Sequence, residues 1–297
     1  MYYIKNGLTS KFIVFAYLFA AAGMIAALGI GNGVQVNSVS QVINNEFGFS
    51  TFSIGIVIAI LVALVILGGI KSIGNITSKL VPVMSLVYIL GGLLIIILNS
   101  SQVGYVFNLI VTSAFTTTAA TGGFAGATVW MALRYGVARG VFSNEAGLGS
   151  SPIAHAAAKT NNPVKQGMIS MLEPLIDTLI VCTITAFVIL MSNQWVGEIN
   201  GAVLTVASFE NLLANGKYIV IFGLILFSFS TIIGWSYYGE KCVEFLFGSG
   251  VIVYYRILWI IIIPVAASIE LNLMSVSYTH LRAHETGRNL VCRLLLE

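Results

Sequence analysis

Long apolar segments separated by short charged ones constrain this chain more than any other feature. There are seven such segments, and each is close to or longer than the ~20 residues that an α-helix needs to cross the hydrocarbon core of a membrane. Only 8% of the residues are charged and 58% are hydrophobic, whereas a soluble protein carries roughly 25% charged residues. The sequence therefore predicts an all-α polytopic membrane protein, with spans at about residues 12–43, 53–70, 80–99, 105–131, 167–192, 217–237 and 251–271.

The positive charges support these boundaries. If the first residues are cytoplasmic, the outer segments carry only Lys217, apart from the extreme C-terminus. An excess of Lys and Arg on the inner side is the rule for membrane proteins. The net charge of +3 therefore reflects topology and does not indicate nucleic-acid binding. The predicted inner charges are Lys5, Lys11, Lys71, Lys79, Arg134, Arg139, Lys159, Lys165, Lys241 and Arg256.

A glycine-rich break interrupts the fourth apolar segment at Gly122, Gly123, Phe124 and Gly126. Because lipid cannot hydrogen-bond a backbone, a broken membrane helix must open onto protein or a watery cavity. In transporters such breaks hold the solute near the middle of the membrane, and helix N-termini there attract anions. The alternative is close helix packing, because Gly122 and Gly126 have the small-xxx-small spacing. These residues alone leave both interpretations open.

Three polar or amphipathic residues lie together in the sixth predicted span. Ser230 and Thr231 offer hydroxyl oxygens, the ligand type that hard cations such as sodium prefer. Hydroxyls in helices also commonly bond back to a carbonyl one turn earlier, which is the alternative. Trp235 follows Thr231 by four residues and so shares its helical face. It is predicted either to wall a pocket or to anchor the helix at the membrane interface.

Glu173 and Asp177 are the carboxylates inside the predicted spans, and their i,i+4 spacing places them on one helical face. Acidic residues within a membrane are functional by default. At 1.5 Å per residue they lie about 9–15 Å from the cytoplasmic end of the span. We interpret them as part of an inner gate that pairs with Arg134, Arg139 or Lys165. A proton relay is the alternative.

The segment 138–160 is predicted to be a folded cytoplasmic cap. Ser150 or Ser151 would cap a helix over 153–159 that has Pro152 in its first turn. Asn161, Asn162 and Pro163 would then end that helix. The sequence contains no CxxC pair, zinc-ligand cluster, Walker lysine or nucleophile elbow. The chain is therefore predicted not to be an enzyme and to need no cofactor.

Four runs of residues resemble the alanine or glycine:cation symporter family. They are GIGNGVQVNS at 29–38, ALVILGGI at 63–70, RYGVARGVFSNEAGLG at 134–149 and IGWSYYGE at 233–240. The resemblance implies part of an inverted-repeat bundle like that of the neurotransmitter:sodium symporters. It also implies sodium-coupled symport of a small neutral amino acid, alanine or glycine, by alternating access across a bacterial plasma membrane.

The resemblance also assigns roles to residues. It makes the break at 122–126 the site of the substrate carboxylate and makes residues 29–33 a packing segment. Sodium would be the coupling ion, with Ser230 and Thr231 as ligands. Two other functions stay open, a proton-coupled carrier and a non-transporting membrane interaction subunit. The implied substrate-binding residues are Gln35, Gly122, Gly123, Phe124, Gly126, Thr231 and Trp235, and the implied gating residues are Glu173, Asp177 and Arg139.

The resemblance covers most of the chain. Residues 1–276 correspond to core helices three to nine of the family, so they are expected to form a partial transporter domain, and the chain is expected to be a fragment. From Ser277 the apolar pattern is lost, and no family feature matches. Residues 277–297 are therefore expected to be a non-native or disordered tail.

Overall fold

The structure is a computed structural model that describes residues 1–8, 10–115, 143–145, 147–196 and 201–269. Within these ranges the regular elements are helices, joined by short turns. In chain order they are α1 (Tyr2–Gly7), α2 (Ile13–Phe47), α3 (Thr51–Ile66), α4 (Gly69–Leu98), α5 (Val103–Phe115), α6 (Ser151–His155), α7 (Pro163–Ser192), α8 (Gly201–Leu212), α9 (Lys217–Phe247) and α10 (Ile252–Ser268).

Five stretches of the described chain are long and apolar enough to cross a membrane: α2, α4, α7, α9 and Ser249–Ser268, which contains α10. This bears out the predicted all-helical membrane class. The predicted seven spans are not confirmed. The segment 53–70 gives only the 16-residue α3, and of 105–131 only α5 lies within the described residues. Residues 277–297 lie outside them, so the tail stays a prediction.

The helix boundaries differ from the predicted span boundaries. Helix α4 begins at Gly69 instead of 80 and takes in Lys71 and Lys79. Helix α9 ends at Phe247 instead of 237 and takes in Glu240. Lys and Glu are good helix formers, so a charged residue marks the edge of the apolar layer without ending the helix. The predicted span ends follow the charged residues, whereas the helices continue past them.

The chain folds into two compact units, and the division falls within α4 and α9. In the first unit, which contains residues 1–84 and 221–269, two asparagines of α2 bind the backbone of α10. The amide nitrogen of Asn32 donates to the carbonyl of Trp259 at 3.0 Å. That of Asn37 donates to the carbonyls of Ala266 and Ile269 at 3.2 and 2.5 Å. Carbonyls at a helix C-terminus lack partners within the helix, so Asn37 satisfies the end of α10.

Helix α2 contains an eight-residue π-helical segment, Ala27–Val34. Its glycines and Asn32 are buried, and the helix continues as an α-helix from Gln35 to Phe47. Such wide turns are rare and occur frequently at functional sites. The π segment makes Gly31 and Asn32 available to two different neighbours, because Asn32 bonds to α10 and Gly31 packs against α9.

The second unit, residues 85–220, is held by close packing of α4 against α7. A Cβ added to Gly92 would overlap the side chain of Ile184, so the glycine allows the two helices to approach. Beside this contact, the hydroxyls of Tyr88 and Thr185 lie 2.7 Å apart. Helix α7 also contains a π segment, Leu175–Cys182.

The turn before α7 differs from the predicted cap. Helix α6 ends at His155, four residues short of the predicted end at 159. Asn162 and Pro163 begin the next helix instead of only ending the previous one. The Asn162 side chain accepts a hydrogen bond from the Lys165 amide at 3.0 Å, which is N-cap geometry.

We predict that Gly55→Ala destabilises the first unit. A Cβ at position 55 would lie 2.7 Å from Pro264 Cα and 2.8 Å from Ala267 Cβ, and neither atom can rotate away. Overpacking of this kind costs about 1–3 kcal/mol. Thermal unfolding in detergent would measure it. Gly74→Ala, which meets no described atom within 4 Å, is the matched control. Equal melting temperatures for the two variants would contradict the prediction.

Candidate functional site

The predicted site residues that the structure describes fall into two groups, one in each unit. Gln35, Ser230, Thr231 and Trp235 belong to the first unit, and Glu173 and Asp177 belong to the second. The glycine break, with Gly122, Gly123, Phe124 and Gly126, lies outside the described residues, as does Arg139.

Trp235 packs directly on the π segment of α2. The indole is 9% exposed. A Cβ added to Gly31 would lie 2.5 Å from its Cγ and 2.7 Å from its Cδ2 and would overlap its Cβ. The ring of Tyr238 meets the indole edge-on, with ring centroids 5.3 Å apart. The absence of a side chain at position 31 therefore lets the root of Trp235 touch the backbone of α2.

This contact is one of three along a seam between α2 and α9. A Cβ added to Gly239 would lie 3.1 Å from Ala27 Cβ and would overlap the Tyr255 hydroxyl. One further turn along, a Cβ added to Gly23 would lie 2.9 Å from Cys242 Sγ. Small residues at intervals of four allow membrane helices this close approach. The α2–α9 seam thus consists of Gly23, Ala27 and Gly31 against Cys242, Gly239 and Trp235.

Gln35 lies about one turn beyond Gly31, at the residue where α2 resumes α-helical geometry. It is half-buried, as are Ser230 and Thr231. Thr231 precedes Trp235 by four residues, so the two share a face of α9. Because α2 and α9 run antiparallel along this contact, with Gly31 beside Trp235 and Ala27 beside Gly239, Gln35 and Thr231 both lie one turn beyond the Gly31–Trp235 contact, on the side away from Gly239.

The two candidate sodium ligands differ in their hydrogen bonding. The Ser230 hydroxyl donates to the Phe227 carbonyl at 2.8 Å, the back-bonding that is common for hydroxyls within helices. Its oxygen keeps lone pairs for a cation. Within the described part of the chain the Thr231 hydroxyl makes no hydrogen bond. The same part contains no group of three or more His, Cys, Asp or Glu residues that could hold a metal ion.

In the second unit Asp177 lies in the first turn of the π segment of α7 and contacts the segment that precedes α6. Its carboxylate accepts a hydrogen bond from the Ser143 hydroxyl, and the next residue, Thr178, donates to the Asn144 side chain at 2.8 Å. The π geometry of residues 175–182 places both side chains toward this segment. Asp177 therefore connects α7 to the sequence that contains the predicted gating arginine.

The ion pairs predicted for Glu173 and Asp177 are not seen among the described residues. Arg134 and Arg139 lie outside the described residues. Within the described ranges Lys165 forms no ion pair with Glu173 or Asp177; it lies in the N-terminal turn of α7, where Asn162 caps its backbone amide. Glu173 is exposed and Asp177 is half-buried.

Comparison with known proteins decides the family. A model of the sodium:alanine symporter family matches residues 1–295. The chain belongs to the sodium:alanine symporter family. The resemblance seen in the sequence is confirmed, and the family consists of transporters, not enzymes. Together with the apolar helices, membership shows a multi-pass membrane protein.

Relatives with informative names come from an archaeon and a bacterium. The sodium/alanine symporter AgcS of Methanococcus maripaludis is 45% identical over 280 residues, which are 92% of this chain and 61% of AgcS. The putative sodium/proton-dependent alanine carrier protein YrbD of Bacillus subtilis is 40% identical over 260 residues, 82% of this chain and 52% of YrbD. The probable sodium/glutamine symporter GlnT of Bacillus subtilis is 38% identical over 261 residues, 86% of this chain and 53% of GlnT. The chain thus spans about six-tenths or less of the length of these family members.

One pair of charged residues in this family member was missed at the sequence level. Arg256 Nε lies 2.8 Å from a Glu240 carboxylate oxygen, and the two side chains are 18% and 12% exposed. Arg256 also passes the start of α4, where its Nη2 would lie 3.6 Å from a Cβ added to Gly69. The pair was overlooked because the predicted span ended at 237. The signal is that opposite charges sit on either side of the short turn between α9 and α10.

We predict that Arg256→Gln destabilises the protein by about 3 kcal/mol, because it leaves Glu240 buried without its ion partner. Lys241→Gln is the matched control. It removes the neighbouring ion pair with Glu244, whose side chains are 30% and 26% exposed, and the expected cost is about 0–1 kcal/mol. Thermal unfolding in lipid nanodiscs would compare them. A loss for Lys241→Gln as large as that for Arg256→Gln would contradict the prediction.

Proposed function

We propose that this chain carries out sodium-coupled symport of a small neutral amino acid, alanine or glycine, across the plasma membrane by alternating access. Membership of the sodium:alanine symporter family supports the coupling to sodium. The name of AgcS, a sodium/alanine symporter, supports alanine as the substrate. The proposed fold is part of an inverted-repeat bundle of the neurotransmitter:sodium symporter type, with residues 1–276 as its core helices three to nine.

The observation that carries this proposal is the contact of Trp235 with Gly31. It joins the two described helices that hold the proposed substrate residues Gln35, Thr231 and Trp235. A large, rigid indole held against a backbone is suited to limit the size of a neighbouring ligand, since it has few rotamers to lose on binding. The wall of a site for a small side chain requires this property.

The substrate carboxylate would bind at the glycine break. Gly122, Gly123, Phe124 and Gly126 would offer backbone amides at a helix end, where the helix dipole favours an anion. Gln35 would contribute an amide group from α2. A zwitterionic substrate without a charged side chain needs only neutral partners of this kind.

Ser230 and Thr231 would bind the sodium ion. Two hydroxyl oxygens form a weak, exchangeable set of ligands, which a coupling ion requires because it must be released in every cycle. Both oxygens would have lone pairs for the ion, since a hydroxyl that donates, as Ser230 does to Phe227, can still accept. No cofactor is proposed. The coupling ion and the amino acid are the proposed ligands, and the lipid bilayer is the surrounding medium.

Glu173, Asp177 and Arg139 would form an inner gate. The hydrogen bond from Ser143 to Asp177 supports this role, because it attaches α7 to the sequence run that contains Arg139. A gate of this kind opens and closes by exchanging one set of hydrogen-bonded partners for another. The polar side chains at the start of the π segment provide one such set.

A proton-coupled carrier is the second candidate. The relative YrbD is named as sodium/proton-dependent, and α7 carries two carboxylates within a candidate span. Acidic residues in membrane helices often relay protons. In this case Glu173→Gln combined with Asp177→Asn would abolish uptake driven by a pH gradient. Under the sodium proposal a pH gradient alone drives no uptake, either in the parent protein or in this double variant.

We predict that replacing sodium with choline lowers alanine uptake at least about tenfold, the middle of the usual range for coupled ligands. The measurement is radiolabelled alanine uptake into proteoliposomes. This chain should be compared with a chimera in which it is joined to the segments of AgcS that lie outside the matched region. Sodium-independent uptake, or no uptake of any small neutral amino acid by either protein, would contradict the proposed function.

We predict that Thr231→Val raises the sodium concentration for half-maximal uptake about tenfold, because loss of one ligand worth about 1.4 kcal/mol has this effect. Thr231→Ser keeps the hydroxyl and should behave as the parent. The apparent affinity for sodium would be measured at saturating alanine. Equal sodium dependence of the Val and Ser variants would remove Thr231 from the proposed sodium site.

A further inference from the structure

We propose that Gly31 sets the position of the Trp235 indole and, through it, the largest side chain that the substrate site accepts. This inference rests on the proposed function and adds a positioning residue to it. Gly31 is buried in the π segment of α2, and it acts on the substrate only through the tryptophan.

The contact involves the root of the Trp235 side chain. A Cβ at position 31 would overlap Trp235 Cβ and lie 2.5 Å from Cγ. Rotation about χ1 leaves Cβ in place, because Cβ is fixed by the backbone. A change of rotamer therefore cannot relieve the overlap, and the backbone of α9 itself must move away from α2.

The neighbouring contacts limit how α9 can move. One turn along the α2–α9 seam, a Cβ added to Gly239 would lie 3.1 Å from Ala27 Cβ, and the next contact is between Gly23 and Cys242. Packed interiors resist separation, since each gap loses van der Waals contact. The expected response is a local tilt that carries the indole away from Gly31.

An indole displaced from α2 would move into the space on its far side and make that space smaller. If this space holds the substrate side chain, glycine continues to fit and alanine fits less well. One methyl group in an apolar pocket changes the specificity of a binding site by about 10–200-fold. We therefore expect Gly31→Ala to lower the ratio of alanine to glycine uptake efficiency (Vmax/KM) about tenfold, through KM more than through Vmax.

Gly234→Ala provides the matched control. It adds the same methyl group to α9 directly beside Trp235 in sequence, but apart from its chain neighbours and the nearby backbone of its own helix no described atom lies within 4 Å of the added Cβ. Both variants gain the same intrinsic helix propensity. The control is expected to keep the parent ratio of alanine to glycine uptake. An equal ratio in Gly31→Ala and Gly234→Ala would overturn the proposal.

A double-mutant cycle tests whether the effect passes through the tryptophan. In the Trp235→Gly background, Cβ, Cγ and Cδ2 are all gone, so the overlap is removed and Gly31→Ala should have little further effect on the uptake ratio. A tenfold fall in both backgrounds would overturn the proposal. If Gly31→Ala abolishes all uptake, recovery of uptake in the double variant supports the proposal, and failure to recover overturns it.

A measurement that needs no transport separates this inference from the proposed function. The protein contains four tryptophans, so labelling with 5-fluorotryptophan gives four ¹⁹F resonances, and Trp235→Phe identifies the relevant one. Gly31→Ala should shift this resonance more than Gly234→Ala does. If the parent takes up no amino acid, the proposed function fails, and the shift still decides whether Gly31 positions the indole. If Gly31→Ala shifts this resonance no more than Gly234→Ala does, that result alone overturns the proposal.

Discussion

Close approach of backbones at positions without side chains is the interaction on which the described structure depends. Lipid tails are as apolar as leucine, so helices in a membrane gain little from hiding apolar surface and must gain from packing and hydrogen bonds. The α2–α9 seam supplies the packing, and Asn32 and Asn37 supply the hydrogen bonds to α10. Helix α2 thus binds one neighbour through glycines and the other through amides.

Helices α2 and α7 both contain a π segment next to the contacts that matter for the proposed function. In α2 the π segment separates the face that meets α9 from the asparagine that meets α10. In α7 it begins beside Asp177 and Thr178, whose side chains meet Ser143 and Asn144. In both helices the irregular turn therefore coincides with polar or close contacts that a regular helix would direct elsewhere. The proposed substrate residues and the proposed gate each sit next to such a turn.

The sequence predicted the membrane class because the bilayer imposes one length and one polarity on every span. It did not predict the ends of α4 and α9, because Lys79 and Glu240 interrupt the apolar runs but are also good helix formers. The π segments were not predictable, since a largely apolar run shows no clear periodicity that could distinguish wide turns from regular ones. Asn32 and Asn37 were not assigned to α10 because their partners are backbone carbonyls, which every helix possesses. Trp235 was singled out, but its contact with Gly31 depends on which helix lies opposite.

The π segment of α2 also has a consequence for how this helix can change over evolution. A π turn accommodates an additional residue inside a helix without breaking it. Each residue of a regular helix turns the chain by roughly 100°. Loss of Gly33 or Val34 would therefore leave a continuous helix of nearly the same length, but would rotate Asn37 and everything after it relative to Gly31. The spacing between the glycine and the asparagine is consequently constrained by two partners at once, and we expect an insertion or deletion between them to require a second one that restores it.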